Sequence, residues 1–540
     1  MDSVSFSNLL TTGAFSDFTL SINGVRKRLH RAIMSERSKH FYDYFMKEPT
    51  SDYEAISINN INQDIFDTLL KWIYSSVDFQ VTMDTFGPIA RLAVSFQVPS
   101  LLNALLKWMN SNITGSNSMR FFFELNGIQN ELKPEFMEVI INRIMRDFET
   151  LDVHDIAGLP FGCFYKVVTH PRFKSSSYKL SYSISTYLAK NRQMQVDERK
   201  LLIDLYFLTD WSSGFSQIIY CIDQSYREKV VEFISRHFRR FTVAEMSMFP
   251  QDIIIDVLMR NDIAVPNEDY VSRRIQDMTS SFTHSDKVKS RKLWQAFIFD
   301  GQPRTFQFPK IDCSNIRCLL VGSVYLDILL DLKNTLIQHG FQPQNIVCFN
   351  ADIASPPLEL LFQFDSVFAF THYQFQSPSR LSELLNVYIN NGGGLVYCYG
   401  FTRIDEWGCG EGELMKYLPF TRAEQVIKSP DDQITVQDDQ NPIITGINRL
   451  KTGTFAPRSN VLLTEGSCMV AEYSDGVPLV AYKQIEEQLS KVIGINFYPV
   501  SLRVHRFGYD PNQPFNSLFA RSILSACGAS DEAIQNVTQC

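Results

Sequence analysis

Residues 15–45 read FSDFTLSINGVRKRLHRAIMSERSKHFYDYF. Phe15–Ile22 alternate apolar and polar as a half-buried strand does, Asn23-Gly24 is a strong hairpin signal, and Val25–Leu29 returns as the partner. From His30 to Phe45 the apolar residues Ile33, Met34, Phe41 and Phe45 change to helical spacing, and Pro49 with its polar neighbours ends the run. Asp17 is expected to satisfy backbone donors near the hairpin and His30 to help begin the helix. Further on, a short strand is predicted at Ile56–Ile58, followed by helical segments over Gln63–Tyr74, Thr82–Ser95 and Ser100–Trp108. The opening hundred residues or so thus describe a mixed domain, a small sheet capped by helices.

That domain is a small part of a chain of 540 residues, which at roughly 100–200 per domain predicts about three to five modules. Hydrophobic residues at 45% and charged residues at 20% are ordinary globular values, which argues against long disordered tails. With 51 basic and 59 acidic residues the net charge is −8, so there is no basic surplus to collect nucleic-acid counterions. The first ten residues lack the positive-then-apolar pattern of a secretory leader, and no run of about 18 uncharged apolar residues appears. Ten scattered Cys with no CxxC pair are expected to be reduced thiols, in a cytoplasmic or nuclear chain with neither nucleic acid nor membrane as partner.

Ser16-Asp17-Phe18-Thr19-Leu20, Asn23-Gly24, His30-Arg31-Ala32-Ile33-Met34, Ser38 and Phe41 stand in the order and spacing of a BTB/POZ domain. Ile56-Ser57-Ile58, Phe66, Leu69-Leu70, Trp72-Ile73-Tyr74, Ala90, Leu92-Ala93, Val98-Pro99 and Leu101-Leu102 resemble the second half of that family, so the likeness covers about residues 10–112 and the domain is set at 1–112. It implies a protein-interaction module, usually a homodimer.

Residues 113–282 carry helical patterns with few strand signals, and an internal repeat appears at a shift of 90 residues. Phe148, Leu151, Ile156, Leu159-Pro160, Val168 and Phe173 fall on Phe238, Phe241, Met246, Phe249-Pro250, Leu258 and Ile263. Two copies of one helical unit are predicted, over 113–200 and 201–282, and the unit resembles the BACK helices that often follow a BTB domain, the second copy most closely. Residues 283–310, polar and then basic at Lys287, Lys289, Arg291 and Lys292, read as a linker.

From 311 to 530 the rhythm becomes strand, helix, strand: Ile316–Val321, Tyr325–His339, Ile346–Phe349, Ser366–Phe370, Leu381–Asn390 and Leu395–Tyr399. This predicts an α/β domain with a parallel sheet, turning strand-rich after 455 with a hairpin at Ser474-Asp475-Gly476. The expected fold class is therefore multidomain, α+β then all-α then α/β. The last domain resembles the class I glutamine amidotransferase-like family in its flavodoxin-like variants. Asn390-Asn391-Gly392-Gly393-Gly394 leads into Leu395-Val396-Tyr397-Cys398-Tyr399-Gly400, which resembles that family's strand and nucleophile elbow and sets Cys398 in the nucleophile's place.

The rest of that machinery is missing. Catalytic relatives carry His, Pro and Glu where this chain has Tyr498-Pro499-Val500, and a phenol of pKa about 10 is a poor base while Val500 cannot orient one. Thr371-His372-Tyr373 stands where relatives place a Gly pair. His372 and His505 are the imidazoles that loops can bring toward Cys398, and Arg503 with Arg506 is a candidate anion or peptide pocket at the sheet's C-terminal edge. No HExxH, CxxC or Walker-type loop is present, so neither metal nor cofactor is expected, and Trp407–Gly412 reads as a loop beside the elbow.

Taken together the modules predict a non-catalytic adaptor, self-associating through its BTB domain and holding a client that no residue identifies. What the resemblance implies for many BTB-BACK proteins is docking on the cullin scaffold of a ubiquitin ligase through an apolar residue two before a Glu, a pattern met by Met46-Lys47-Glu48. The alternative is a hydrolase or small-molecule sensor built on Cys398, and a purely architectural oligomer is the third reading.

Overall fold

The computed structural model describes residues 6–47, 56–58, 62–75, 80–280, 287–298, 310–404, 408–409, 412–427, 432–438, 440–452, 457–485 and 489–537. Glu48, Pro49, Trp407, Gly410 and Glu411 lie outside them. The chain forms two compact units, Met1–Lys174 and Ser175–Cys540. Among the described residues no helix is long and apolar enough to cross a membrane, and every described cysteine is free.

In the first unit, β1 (Phe18–Ile22) pairs antiparallel with β2 (Val25–Leu29) and parallel with β3 (Ile56–Ile58), giving the order β2-β1-β3. The hairpin turns on Asn23 and Gly24 at φ 47° and 85°, the left-handed pair a two-residue turn of this kind demands. Alternate residues Phe18, Leu20 and Ile22 are buried, Phe18 against the Phe45 ring at 4.9 Å, and the domain continues in helices that include Gln63–Tyr74, Met83–Ser95 and Pro99–Asn112. Asp17 Oδ1 accepts from the Arg31 amide at 2.7 Å, while His30 holds the Tyr74 hydroxyl and the Ala14 carbonyl at 2.9 and 2.7 Å.

The segment read as helical from His30 to Phe45 is two helices, Arg31–Arg37 and Lys39–Lys47. Ser38 is extended between them, with its hydroxyl donating to the Phe96 carbonyl at 2.6 Å and accepting from the Phe41 amide at 3.3 Å. A serine that can bond locally ends one helix and starts the next, which apolar spacing alone cannot register.

The repeat at a shift of 90 residues is visible atom by atom. Short helical turns at Phe148–Thr150 and Phe238–Arg240 are followed by Val153–Ile156 and Val243–Met248, each capped by a side chain, Asp152 or Thr242. Pro160 and Pro250 then open Phe161–Val168 and Gln251–Leu258. The Leu159 amide bonds the Ile156 carbonyl at 3.1 Å as Phe249 bonds Met246 at 3.1 Å, and Thr169 to Tyr165 at 3.0 Å matches Met259 to Ile255 at 3.0 Å. Ser177–Lys190 corresponds to Glu268–Ser280, and Val196–Thr209 to Lys287–Ile298. The repeated unit therefore reaches past 282: the basic stretch read as linker contains a helix over 287–298. Leu293, Ala296 and Phe297 are its buried stripe, and Gln251 Nε2 donates to the Lys289 carbonyl at 3.0 Å. The four cations of this stretch lie on the same helix as an apolar set at helical spacing.

The sheet of the second unit has nine strands in the order β10-β9-β12-β13-β14-β7-β6-β4-β5. These are β4 (Cys318–Ser323), β5 (Ile346–Asn350), β6 (Ser366–Thr371), β7 (Gly394–Cys398), β9 (Asp432–Val436), β10 (Arg449–Leu450), β12 (Cys468–Tyr473), β13 (Pro478–Gln484) and β14 (Lys491–Ile495), with β8 (Gln425–Ile427) and β11 (Pro457–Ser459) forming a separate pair. β5, β4, β6, β7 and β14 run parallel, in the 2-1-3-4-5 sequence of a doubly wound sheet, and β13, β12, β9 and β10 extend it antiparallel. The sheet is mixed rather than purely parallel, because the Ser474–Gly476 hairpin turns the chain directly back. Strand residues divide between two cores: Cys318, Leu320, Val396 and Cys398 on one face, Leu319, Val321, Leu395 and Tyr397 on the other. Trp211, from the helical region, belongs to the second core, so the helices after Ser175 and the sheet fold as one unit.

Their junction is ionic as well as apolar. Asp365, just before β6, receives Arg239 and Arg240 (2.8 Å from Arg240) and the backbone amide of Arg317 at 2.9 Å. Arg317 stacks on the Trp211 ring at 4.3 Å, and Ser212 donates to Gln363 at 2.7 Å. Burial alone would raise the Asp365 carboxyl, but Arg240 and Arg239 overcome it and hold it well below the usual carboxylate range.

Candidate functional site

Five parallel strands end at one edge of the sheet, the place where ligands of open α/β sheets bind. The segments that leave it are tied together by backbone bonds: His372 and Tyr373 amides to the Ser323 carbonyl at 3.2 and 3.0 Å, and Tyr399 to Phe497 at 3.1 Å.

Cys398 is the last residue of β7 and is 2% exposed. Burial pushes its thiol well above the ordinary value, the opposite of what a thiolate nucleophile requires. Among the described residues its sulfur bonds neither imidazole. The left-handed residue of the turn is Gly400 at φ 85°, where a Cβ would lie 2.3 Å from the Thr371 carbonyl oxygen, so glycine is required there by both backbone and space. Cys398 itself is still strand, and its carbonyl accepts from the Phe401 amide at 3.2 Å.

Tyr498 and Val500 are both fully buried. Burial raises the Tyr498 phenol, and its Oη has no hydrogen-bond partner among the described residues. The His372 ring lies 5.4 Å from the Tyr498 ring and 6.0 Å from that of His505, and Tyr399 meets Tyr498 at 5.7 Å. Burial first, then His505 and Arg403, lower the His372 imidazole, which favours its neutral form. His505 Nδ1 accepts from the Phe507 amide at 3.3 Å. The edge therefore gathers His372, His505, Tyr399 and Tyr498 into one aromatic cluster. Arg503 and Arg506 are exposed at its rim, with Arg506 stacked 4.9 Å from the Phe507 ring.

Sequence reasoning missed the apolar surface around this cluster. Tyr325 and Leu326 after β4, Ile353 after β5, Ile404 after β7, and Leu502 and Val504 after β14 are all exposed. The signal was available, since each is a large apolar residue within a few positions of a predicted strand end.

In the first unit, Met46 is 66% exposed, and Tyr42, one turn earlier on the helix Lys39–Lys47, is exposed beside it. The i, i+4 spacing makes them neighbours on one face, so Tyr42 belongs with the residue that the sequence singled out. Glu48 lies outside the described residues. No group of three potential metal ligands occurs among them.

The family model of the BTB/POZ domain matches residues 6–113. Kelch-like protein 41a of Danio rerio is 25% identical over 118 residues, 21% of this chain and 20% of that protein. Kelch-like protein 41 of Homo sapiens is 26% identical over 113 residues, 21% and 18% of the two chains. Zinc finger protein chinmo of Drosophila melanogaster is 30% identical over 98 residues, 18% and 16%. Among solved structures, the BTB domain of zebrafish PATZ1 aligns at 17% identity over 20% of this chain and 86% of that one, with a TM-score of 0.18. Residues 6–113 are a BTB/POZ domain. The chain matches about a fifth of the length of the Kelch-like relatives, so the likeness extends to the N-terminal domain alone.

Proposed function

We propose that the chain is a protein-interaction adaptor that self-associates through its BTB/POZ domain and carries a client on its C-terminal α/β domain. The observation that carries this reading is the BTB/POZ match over 6–113, in a domain that exposes Tyr42 and Met46 side by side. BTB domains typically dimerise, and Kelch-like BTB proteins bind cullins. The finer proposal is that Tyr42, Met46 and Glu48 dock on a cullin N-terminal domain, with the repeated helices serving as BACK-like spacers.

The C-terminal domain, in the same reading, is an amidotransferase-like fold without catalysis: a buried Cys398 with a raised thiol, Tyr498 for His, and Val500 for Glu. Exposed Tyr325, Leu326, Ile353, Ile404, Leu502 and Val504 favour a protein client, and Arg503 with Arg506 favours acidic residues on it. The setting is cytoplasmic or nuclear. One observation favours a second reading, a small-molecule sensor: the unpartnered Tyr498 hydroxyl beside His372 and His505.

The test is calorimetric titration of the full chain with a cullin N-terminal domain. Micromolar or tighter binding, lost in a folded Met46→Ala/Glu48→Ala double mutant and weakened about tenfold or more in Tyr42→Ala, supports docking. A folded wild type that binds no cullin of its own cell removes the ligase from the proposal.

A further inference from the structure

A second built site lies away from the sheet's C-terminal edge, where the helix Glu268–Ser280 meets the sheet domain. A cleft of about 40 Å³ is lined by Arg239, Asn267, Tyr270, Arg273 and Ser490, among others, and among the described residues no carboxylate contributes to its walls. The volume is room for roughly three waters, the scale of one small ion and far below that of a nucleotide. Three features give the cleft positive character.

First, it sits at the N-terminus of a thirteen-residue helix, where unpaired amides and the helix dipole favour negative charge. Asn267 Oδ1 caps the Tyr270 amide at 2.9 Å. The acids of that first turn, Glu268 and Asp269, are exposed and do not line the cleft. Second, Tyr270 is only 8% exposed, yet its buried Oη has no hydrogen-bond partner among the described residues. A buried hydroxyl in that condition costs free energy until an acceptor arrives. Third, cations are in surplus. Arg239 and Arg240 share the buried carboxylate of Asp365, Arg317 beside them pairs with Asp210 at 3.4 Å, and burial, followed by repulsion from Arg240, pushes Arg317 down to about 9. Arg273 has neither an ion pair nor a side-chain hydrogen bond among the described residues, and it lines the same cleft as Arg239.

We propose that this cleft binds a phosphate-type oxyanion, either free or as a phosphorylated residue of a partner protein. Arg239 and Arg273 supply the guanidinium forks, Tyr270 Oη a neutral donor, and the helix N-terminus the field. The bound anion balances the arginine surplus and ties the helices to the sheet. The site is independent of the adaptor reading, which stands or falls on the BTB domain.

The experiment compares the full chain in inorganic phosphate and in chloride at matched ionic strength, by thermal unfolding and by calorimetry, alongside a phosphoserine peptide and its unphosphorylated form. Phosphate is expected to raise the Tm and to bind, with affinity falling about tenfold or more in Arg273→Gln and about threefold in Tyr270→Phe. Arg273 is exposed and Tyr270→Phe removes an unpaired hydroxyl, so both variants should fold. A peptide that binds only when phosphorylated, while free phosphate does not bind, assigns the site to a partner's phosphoresidue; the converse assigns it to the free anion. Absence of both, or an unchanged response in Arg273→Gln, overturns the proposal.

Discussion

The Cys398 thiol and the Tyr498 hydroxyl make opposite demands on their surroundings. Cys398 packs as a small apolar group in the core, whereas Tyr498 buries an oxygen that finds no partner among the described residues. Alkylation at neutral pH should therefore modify exposed Cys468 first and leave Cys398 unlabelled until denaturant is added, as mass spectrometry of the labelled peptides would report. Labelling of Cys398 ahead of Cys468 in the folded chain would contradict the non-catalytic proposal. Tyr498→Phe should leave denaturant stability unchanged or raise it by up to about 1–2 kcal/mol, since only an unpaired polar group is lost. A loss above 1 kcal/mol would mean that the hydroxyl has a partner in solution. At this scale the sequence spoke clearly about Tyr498 and Val500, because absence of a His and a Glu is a statement of identity. It was silent about the exposed ring of Tyr325, Ile353 and Leu502, because exposure is decided by which loops cover the strand ends.

Elements were legible where their periodicity was undisturbed. The hairpin at Asn23-Gly24 and the strands β4 to β7 follow from local pattern, and the 90-residue repeat recurs in hydrogen bonds at matching positions. Reading failed where one polar residue changed a helix's course, as Ser38 does, or where charge masked an apolar stripe, as at 287–298. Nor could local pattern reveal the junction of Arg239 and Arg240 with Asp365, partners more than a hundred positions apart. Removing that carboxylate by Asp365→Ala leaves buried guanidinium charge uncompensated and should cost about 3–5 kcal/mol. Helical and sheet signals should then be lost in one transition at lower denaturant. The pH dependence has a definite sign. The folded carboxyl is held below its unfolded value of about 3.9, so its contribution is complete above that pH and disappears as pH falls toward the depressed folded value. Acid unfolding curves of wild type and Asp365→Asn should accordingly draw together as pH falls below about 4, and curves that stay parallel there would show that the folded carboxyl is not depressed.

For the whole molecule, the adaptor proposal requires valency: a chain that pairs through its BTB/POZ domain presents two C-terminal edges at once. Light scattering with size exclusion should give about twice the 62.1 kDa chain mass at micromolar concentration. Deleting residues 1–112 should return the remainder to a monomer. A monomeric full chain would separate this protein from the usual behaviour of the domain it carries.

The long-range pairing of β7 with β14 has a consequence for the growing chain. Leu395 must wait for Val492, and the arginines near 240 must wait for Asp365, so an emerging ribosomal product displays sheet edge and naked cations for much of its synthesis. At about 5–20 residues per second that interval lasts several seconds, long enough for a holdase to become part of the protein's biogenesis. The BTB/POZ domain, whose hairpin and helices close over short distances, completes early, and under the adaptor proposal it pairs while the rest is still being made.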